Sequence, residues 1–461
     1  MSETSAHAGG TPIPAEVLDA IAQWLPERRW FGGKGRPIDA VTVALDEPLS
    51  TGDPAVHDVI LSVAYVDGGH DLYHVPLAWR TDVPERLESA VITRIGGRAV
   101  YDALLDPDAS CVFLERLASG GDIGALSFGS TGIPMQTGLP GHMLTAEQSN
   151  TSVVYGDEYI LKVFRRLASG VNPDVEINVG LARVHSTNVP QPLGWLEATV
   201  DGEQFTTGFL QEFLRTAADG WTMATTSVRD LYAEADLHAD EVGGDFAGEA
   251  TRIGAMTGAV HAELREAFGT ETRGSDHLRM VAGRMRARLD EACAAVPELV
   301  PSAARISALY DRLAREVLEL HVQRIHGDYH LGQVLRSHAG WVALDFEGEP
   351  ARALAERREM DTALRDVAGM LRSFDYAARS LLQEWENQPH LAYRAEEWSS
   401  RNRDAFCEGY GEATGTDPRK DDLVLRAFEV DKAVYEVLYE ARNRPTWLVI
   451  PMGSIDRLVS A

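Results

Sequence analysis

The hydrophobic period of this chain changes once, and that change limits the folds open to it. Up to about residue 214 the apolar residues sit in short β-branched and aromatic runs; from about 227 they recur at helical spacing. "AVTVALDE" (40–47), "HDVILSVAYVDG" (57–68) and "DLYHVPLAW" (71–79) read as strands, with "DGGHD" as the turn between the last two. A less regular stretch follows to about residue 140, broken by the Gly and Pro of "GSTGIPMQTGLPGH". "TSVVYGDEYILKVF" (151–164) reads as a hairpin turning at Gly156-Asp157. "NPDVEINVGLARVH" follows as a helix with Asn172 as N-cap and Pro173 at the first helical position. "FTTGFLQEFL" (205–214) supplies one more strand. Then "SVRDLYAEADLHADEV", "FAGEATRIGAMTGAVHAEL", "SAARISALYDRLAREVLEL" and three or four segments after residue 360 read as helices. There is no internal repeat and no low-complexity tract. The expected class is α+β, a small β unit followed by a hairpin with its helix and then a large helical part, not alternating βαβ units.

The 461 residues suffice for two or three domains with a sizeable core. A net charge of -27 argues against nucleic acid or an anionic membrane as partner, because both would repel the chain. Cys111, Cys293 and Cys407 are scattered, which supports neither a zinc site nor a disulfide framework and fits a reducing compartment. The first twenty residues lack the basic flank and apolar core of a signal peptide, and no apolar run approaches the roughly 20 residues that span a bilayer. A soluble, cytoplasmic protein is expected. Lys34, Lys162, Lys420 and Lys432 are the only lysines, so a lysine at a functional position stands out.

The helical part is interrupted by "RIHGDYHLGQVL" (324–335) and, shortly after, by "VALDFEGEP" (342–350). A metal hydrolase would use His326, Asp328 and His330 as ligands. Those residues alternate along an extended stretch, however, and no third histidine cluster appears elsewhere. A solvated turn would not need two acidic motifs around one short hairpin. Phosphoryl transfer from ATP fits better. It requires a carboxylate to accept the acceptor hydroxyl's proton, oxygen ligands for Mg²⁺ and positive charge on the phosphates. Asp328 suits the first task, and Gln333 with Asp345 suits the second. Upstream, Lys162 in "YILKVF" and Glu176 on the next helix match the lysine–glutamate pair of a two-lobed kinase. No GxGxxG precedes Lys162; "EQSNTSVVYG" (147–156) offers polar groups for phosphate instead, and "GGKGR" (32–36) lacks the spacing of a phosphate loop.

Taken together, "RWFGGKGR" (29–36), "AEQSNTSVVYGDEYILKVFRR" (146–166), "GWTMATTSVRDLYAEADLHADEVGGDFAGE" (220–249), "HGDYHLGQVL", "DFEGEP" and "YEARNRPTWLVIP" (439–451) give the chain a family likeness over nearly its whole length. It resembles the maltokinases of actinobacteria, which have a two-lobed, aminoglycoside-phosphotransferase-like kinase fold with an added N-terminal cap. The resemblance implies a β-rich cap over residues 1–90, a kinase N-lobe over 91–214 and a mainly helical C-lobe over 215–461. It implies ATP-dependent phosphorylation of maltose at its anomeric hydroxyl, giving maltose 1-phosphate for α-glucan (glycogen) synthesis. Carried over, Asp328 is the catalytic base, and Gln333 and Asp345 are the Mg²⁺ ligands. Lys162 and Glu176 position phosphate with Gln148, Ser149 and Asn150, and Gln211, Glu212 and Phe213 form the adenine hinge. Tyr329 stands where many relatives have leucine, which implies a change in packing beside the base. Association with an enzyme that converts trehalose to maltose is implied too, although no stretch identifies a docking surface.

Disaccharide sites use flat aromatic faces against sugar rings and charged groups against hydroxyls. Tyr439, Glu440, Arg442, Asn443, Arg444 and Trp447 carry that chemistry near the end of a long helix. The plainer reading has Arg442 and Arg444 capping the helix C-terminus and Trp447 in the core. Relatives of the same fold phosphorylate glucosamine or aminoglycosides, and overall charge does not separate these acceptors; the length of the likeness favours maltose. A non-catalytic regulator would have lost the base, the metal ligands or the lysine, and all are present.

Overall fold

The structure, a computed structural model, describes residues 12–144, 149–215, 217–234, 236–316, 319–349, 352–385 and 389–460. The chain forms two compact units, residues 1–179 with 190–215 and residues 180–189 with 216–461.

Two antiparallel sheets make up the first unit. One contains β1 (Ile38–Ser50), β2 (Ala55–Tyr65), β3 (His70–His74), β4 (Leu77–Arg80), β5 (Val91–Ile95) and β6 (Arg98–Asp102). The other contains β7 (Gly121–Ile123), β8 (Leu126–Ser130), β9 (Gly141–Met143), β10 (Asn150–Tyr155), β11 (Tyr159–Phe164), β13 (Pro192–Val200) and β14 (Glu203–Glu212), in the order β7-β8-β13-β14-β11-β10-β9. β12 (Arg166–Leu167) directly follows β11 but pairs with β3, so one run of chain serves both sheets. Residues 71–79, expected as one strand, are two. Pro76 has no N–H for the ladder, and the pieces on either side of it pair with different parts of β2. α1 (Ala15–Trp24) covers one face of the first sheet with Val17 and Ile21. α2 (Pro107–Ser119) puts Phe113, Leu114 and Leu117 into a core shared with Ile60 of the first sheet and Leu161 and Leu210 of the second.

Arg165 ties the two sheets together. Its guanidinium is buried and donates to Asp102 at 2.6 Å, to Thr151 Oγ1 at 2.8 Å and to the His74 carbonyl at 3.3 Å. Trp30 lies across it at 4.8 Å, and a Cβ on Gly33 would run into Tyr65 and Phe31. The "RWFGGKGR" segment is therefore packed as structure.

α3 (Pro173–Arg183) runs from the first unit into the second, and the Asn172 side chain accepts from the Asp174 amide at 2.8 Å. The second unit carries two small sheets, β15 (Ala218–Asp219) with β18 (Val334–Arg336) and β19 (Trp341–Ala343), and β16 (Thr270–Arg273) with β17 (Leu320–Gln323). Its helices are α4 (Gly220–Ala233), α5 (Ala247–Phe268), α6 (Ser275–Ala295), α7 (Val300–Arg315), α8 (Leu354–Arg357), α9 (Leu364–Ser380), α10 (Pro389–Thr414), α11 (Asp422–Asn443) and α12 (Val449–Ser460). α5 and α10 approach closely because Gly254 faces the Phe406 carbonyl and Gly409 faces the Thr251 carbonyl, leaving no room for a Cβ at either. α4 ends before the expected residue 242, and α7 ends at Arg315 with residues 320–323 in β17. The fold is α+β, β-rich first and mainly helical after. No helix among the described residues is long and apolar enough to cross a membrane.

Candidate active site

The loop after β17 carries Asp328 and is fastened to α9. Buried Asp366 accepts the His326 amide at 2.7 Å, the Gly327 amide at 2.8 Å and His261 Nε2–H at 3.0 Å. Burial pushes the Asp366 carboxyl up, but His261 and the Gly327 amide outweigh it and leave the pKa below the ordinary value. One turn on, a Cβ at Gly369 would stand 2.5 Å from the Tyr329 carbonyl. A further turn on, Ser373 Oγ accepts the Leu331 amide at 3.0 Å. Residues 366, 369 and 373 share one helix face. The Tyr329 hydroxyl meets Thr257 Oγ1 at 2.7 Å, so the larger side chain beside Asp328 is accommodated in the core.

His326 spends both ring nitrogens on backbone groups: Nε2–H donates to the Leu344 carbonyl, just past β19, at 2.7 Å and Nδ1 accepts the Asp328 amide at 3.4 Å. His330 Nδ1 accepts the Gly332 amide at 3.0 Å, and burial pushes its pKa down to about 4. These histidines shape the loop and are not arranged as a ligand trio. Asp328 is half-buried, and Lys432 of α11 donates to its Oδ1 at 2.9 Å. Burial pushes the Asp328 carboxyl up; the Lys432 ammonium overrides this and holds it at about 2.

Gln333 and Asp345 are in contact, with the Gln333 side-chain amide donating to Asp345 Oδ2 at 3.2 Å. Asp345 follows β19 with a left-handed backbone (φ 62°), a conformation uncommon outside glycine. An amide carbonyl and a carboxylate side by side are the hard oxygen donors that Mg²⁺ takes, so the residues present fit that ion.

Asp328 opens into a cavity of about 440 Å³. α11 lines it with one face, Lys432, Tyr435, Glu436, Tyr439 and Glu440, spaced i, i+3, i+4, i+7 and i+8. Trp221, Tyr376, Arg444 and Trp447 complete the walls. Glu440 is held by Arg444 (2.9 and 2.7 Å) and by the Tyr376 hydroxyl at 3.1 Å. Arg444 also lies over Trp447 at 4.3 Å, covering part of that ring. Two nitrogens of Arg372 donate to Glu436 Oε2, at 3.1 and 2.6 Å. Of the residues expected to meet sugar, Tyr439, Glu440, Arg444 and Trp447 line this cavity. Arg442 instead pairs with Glu291 at 2.9 Å, and the Asn443 side chain bonds back to the Tyr439 carbonyl. Lys432, Tyr435, Glu436, Tyr376 and Trp221 were not read from sequence. The helical spacing on α11 and the scarcity of lysine both mark Lys432.

In the first unit, Lys162 lies between Ser152 of β10 and Phe209 of β14. Its ammonium donates to Asp174 Oδ2 at 3.4 Å, a carboxylate two residues before Glu176 on the same first turn of α3. Asn150 opens β10 with Ser149 just before it; Gln148 lies outside the described residues. Gln211 pairs with Ile160 and Pro192, the Glu212 amide donates to the Gln191 carbonyl, and the Phe213 amide donates to the Glu158 carbonyl at 2.9 Å.

Residues 24–106 match the family model of the maltokinase N-terminal cap domain. The glucosamine kinase of Streptacidiphilus jiangxiensis is 29% identical over 341 residues, spanning 71% of this chain and 75% of that protein. The glucosamine kinase of Mycolicibacterium smegmatis is 27% identical over 341 residues, 70% and 81% of the two chains. A solved glucosamine kinase in complex with glucosamine, ADP and inorganic phosphate has a TM-score of 0.72 at 23% identity, covering 97% of this chain and 100% of that one. Another crystal form of glucosamine kinase gives 0.75 at 23% identity, covering 98% and 100%. The chain therefore carries a region similar to the maltokinase N-terminal cap and shares its fold with solved glucosamine kinases.

Proposed function

We propose that the chain is an ATP-dependent sugar kinase whose acceptor is maltose, phosphorylated at the anomeric hydroxyl to give maltose 1-phosphate and ADP. The observation that carries the reading is a half-buried carboxylate, Asp328, opening into an aromatic-walled cavity of about 440 Å³, within the ~300–1,000 Å³ range of small-molecule sites. Tyr435, Tyr439 and Trp447 offer faces for sugar rings, and Glu436 with Arg444 offers acceptors and donors for hydroxyls. Asp328 takes the proton of the anomeric hydroxyl as its oxygen bonds to the γ-phosphorus, and the bond from that phosphorus to the β–γ bridging oxygen breaks. Gln333 and Asp345 would hold Mg²⁺, which supplies positive charge to the phosphate oxygens. Lys162, with Asp174 and Glu176 on α3 to orient it, supplies a positive charge suited to phosphate.

A second reading, glucosamine as acceptor, is favoured by the two relatives of that name. An acceptor screen with ATP and Mg²⁺ over maltose, glucose, glucosamine and an aminoglycoside separates the readings. Phosphorus NMR and loss of reducing-sugar reactivity should place the phosphate on the anomeric carbon of maltose. Phosphate on another hydroxyl, or preference for glucosamine, would sink the maltose assignment.

A further inference from the structure

The carboxylates around the acceptor cavity are matched one by one with cations of this chain. Glu436 is held by Arg372 and Glu440 by Arg444. In the layer beneath, Glu349 is held by Arg365 at 3.0 Å and Asp431 by Arg288 at 2.5 Å. Asp328 is matched by a lysine. The Lys432 ammonium is 2.9 Å from Asp328 Oδ1 and 4.8 Å from the centre of the Tyr435 ring, so carboxylate and ring face confine it from two sides. An ammonium so held fixes the orientation of the carboxylate. It also occupies the position beside the reacting hydroxyl where a charged amine on a sugar would find its counter-ion.

We propose that Lys432 is a positioning and specificity-determining residue of the acceptor site: it aims Asp328 at the acceptor hydroxyl and excludes sugars that bring a cation of their own beside that hydroxyl. The inference rests on the sugar-kinase reading and deepens it by naming the acceptor class, neutral sugars. An aminosugar ammonium seated beside Asp328 would face the Lys432 ammonium, and like charges at contact in a partly desolvated site repel strongly. The carboxylates of Glu436 and Glu440 already have their charge offset by Arg372 and Arg444, which weakens what they offer a second cation.

The other charged groups that face Asp328 do not take over this role. His330 is kept neutral by burial, with its pKa at about 4, and His326 uses both ring nitrogens on backbone groups, the Leu344 carbonyl and the Asp328 amide. Arg365 of α9 and Arg288 of α6 are spent on Glu349, Asp361 and Asp431. With Lys432 removed, burial pushes the Asp328 carboxyl up against only the remaining influence of His330 and His326.

The test uses the full chain with Lys432→Met and Lys432→Arg. For maltose, kcat/KM of Lys432→Met should lose its acid side at a pH roughly two units higher than wild type, because the carboxyl rises from about 2 to above its ordinary value. The ratio of kcat/KM for glucosamine to that for maltose should rise by at least roughly tenfold. Lys432→Arg keeps the charge and should keep both properties. Should Lys432→Met not fold, Lys432→Gln reads the same loss of charge. An unmoved acid limb with an unchanged ratio overturns the proposal, as does a wild-type protein that prefers glucosamine. A wild type inactive on every sugar removes the sugar-kinase reading alone. Carbon-13 NMR titration of Asp328 in wild type and variant then still decides whether Lys432 holds the carboxyl low.

Discussion

Replacing Asp366 by asparagine separates what holds the loop of Asp328 from the proposed chemistry of Asp328 itself. Asp366 lies on α9, outside the cavity lining, yet its two oxygens accept the His326 amide, the Gly327 amide and His261 Nε2–H. An asparagine oxygen can keep the pair at Oδ2, His326 and His261. Its NH₂ then faces the Gly327 amide, donor against donor. One buried N–H is left unsatisfied, at about 1–3 kcal/mol, and two charge-assisted bonds become neutral ones. The sum is about 2–4 kcal/mol, or roughly 5–15 °C of melting temperature for a unit of this size. A shift of the loop by about 1 Å should lower turnover by roughly 10², while nucleotide affinity holds. The Asp366 carboxyl is depressed in the folded state, so its stabilisation is present above the unfolded pKa and is lost as pH falls through the folded one. The melting gap between wild type and variant should therefore narrow below about pH 4. Thermal unfolding by circular dichroism at pH 7.5 and at pH 3, with steady-state kinetics, tests this. A variant that melts within about 1 °C of wild type and turns over normally would refute the reasoning.

Asp328→Asn should cost roughly 10²–10⁴ in turnover with nucleotide binding preserved; near wild-type rates would remove Asp328 from the chemistry. Asp345→Ala should abolish activity and the Mg²⁺ dependence of nucleotide affinity, whereas stoichiometric zinc with no need for ATP would revive a hydrolase. Lys162→Ala and Asp174→Ala, motivated by their 3.4 Å contact, should be non-additive in turnover; fully additive losses would mean that the two act separately. Trp447→Ala should weaken maltose binding several-fold, about 1 kcal/mol for a stacking face, and leave ATP affinity unchanged. A large change in ATP affinity would place Trp447 elsewhere in function.

What could be read in the sequence was what lies close together along it. The hairpin around Lys162 was legible because Gly156 and Asp157 both take positive φ, as the turn between such strands requires. The start of α3 was legible through Asn172-Pro173. α2 carries the same kind of signal, Asp106 as N-cap and Pro107 at N1, but it sits in a stretch of short strands where no single period dominates. In the site, Asp328, Gln333 and Asp345 stand within one loop and hairpin and could be picked out by spacing. The partners of Asp328 could not. Asp366 and Lys432 lie 38 and 104 residues away by numbering, and each joins the site through a helix face. "YEARNRPTWL" was read as a continuous run, which brought in Arg442 and passed over Lys432, Tyr435 and Glu436. Reading α11 at its helical period selects the lining residues and leaves Arg442 out.

The buried contact between Arg165 and Asp102 bears on how the chain can be divided. The cap is recognisable as a family of its own over residues 24–106, which invites a shortened protein beginning after it. Such a protein would retain Arg165, stripped of the Asp102 carboxylate, the His74 carbonyl and the Trp30 ring, and would expose the side of α2 that packs on Ile60. An orphaned guanidinium in that position costs about 3–5 kcal/mol, a large part of the ~5–15 kcal/mol that holds a typical domain folded. Cap and β11 should therefore unfold in a single step, with their slowest amides exchanging at one common rate. A module that inheritance can trace separately is then, for folding, half of an indivisible piece.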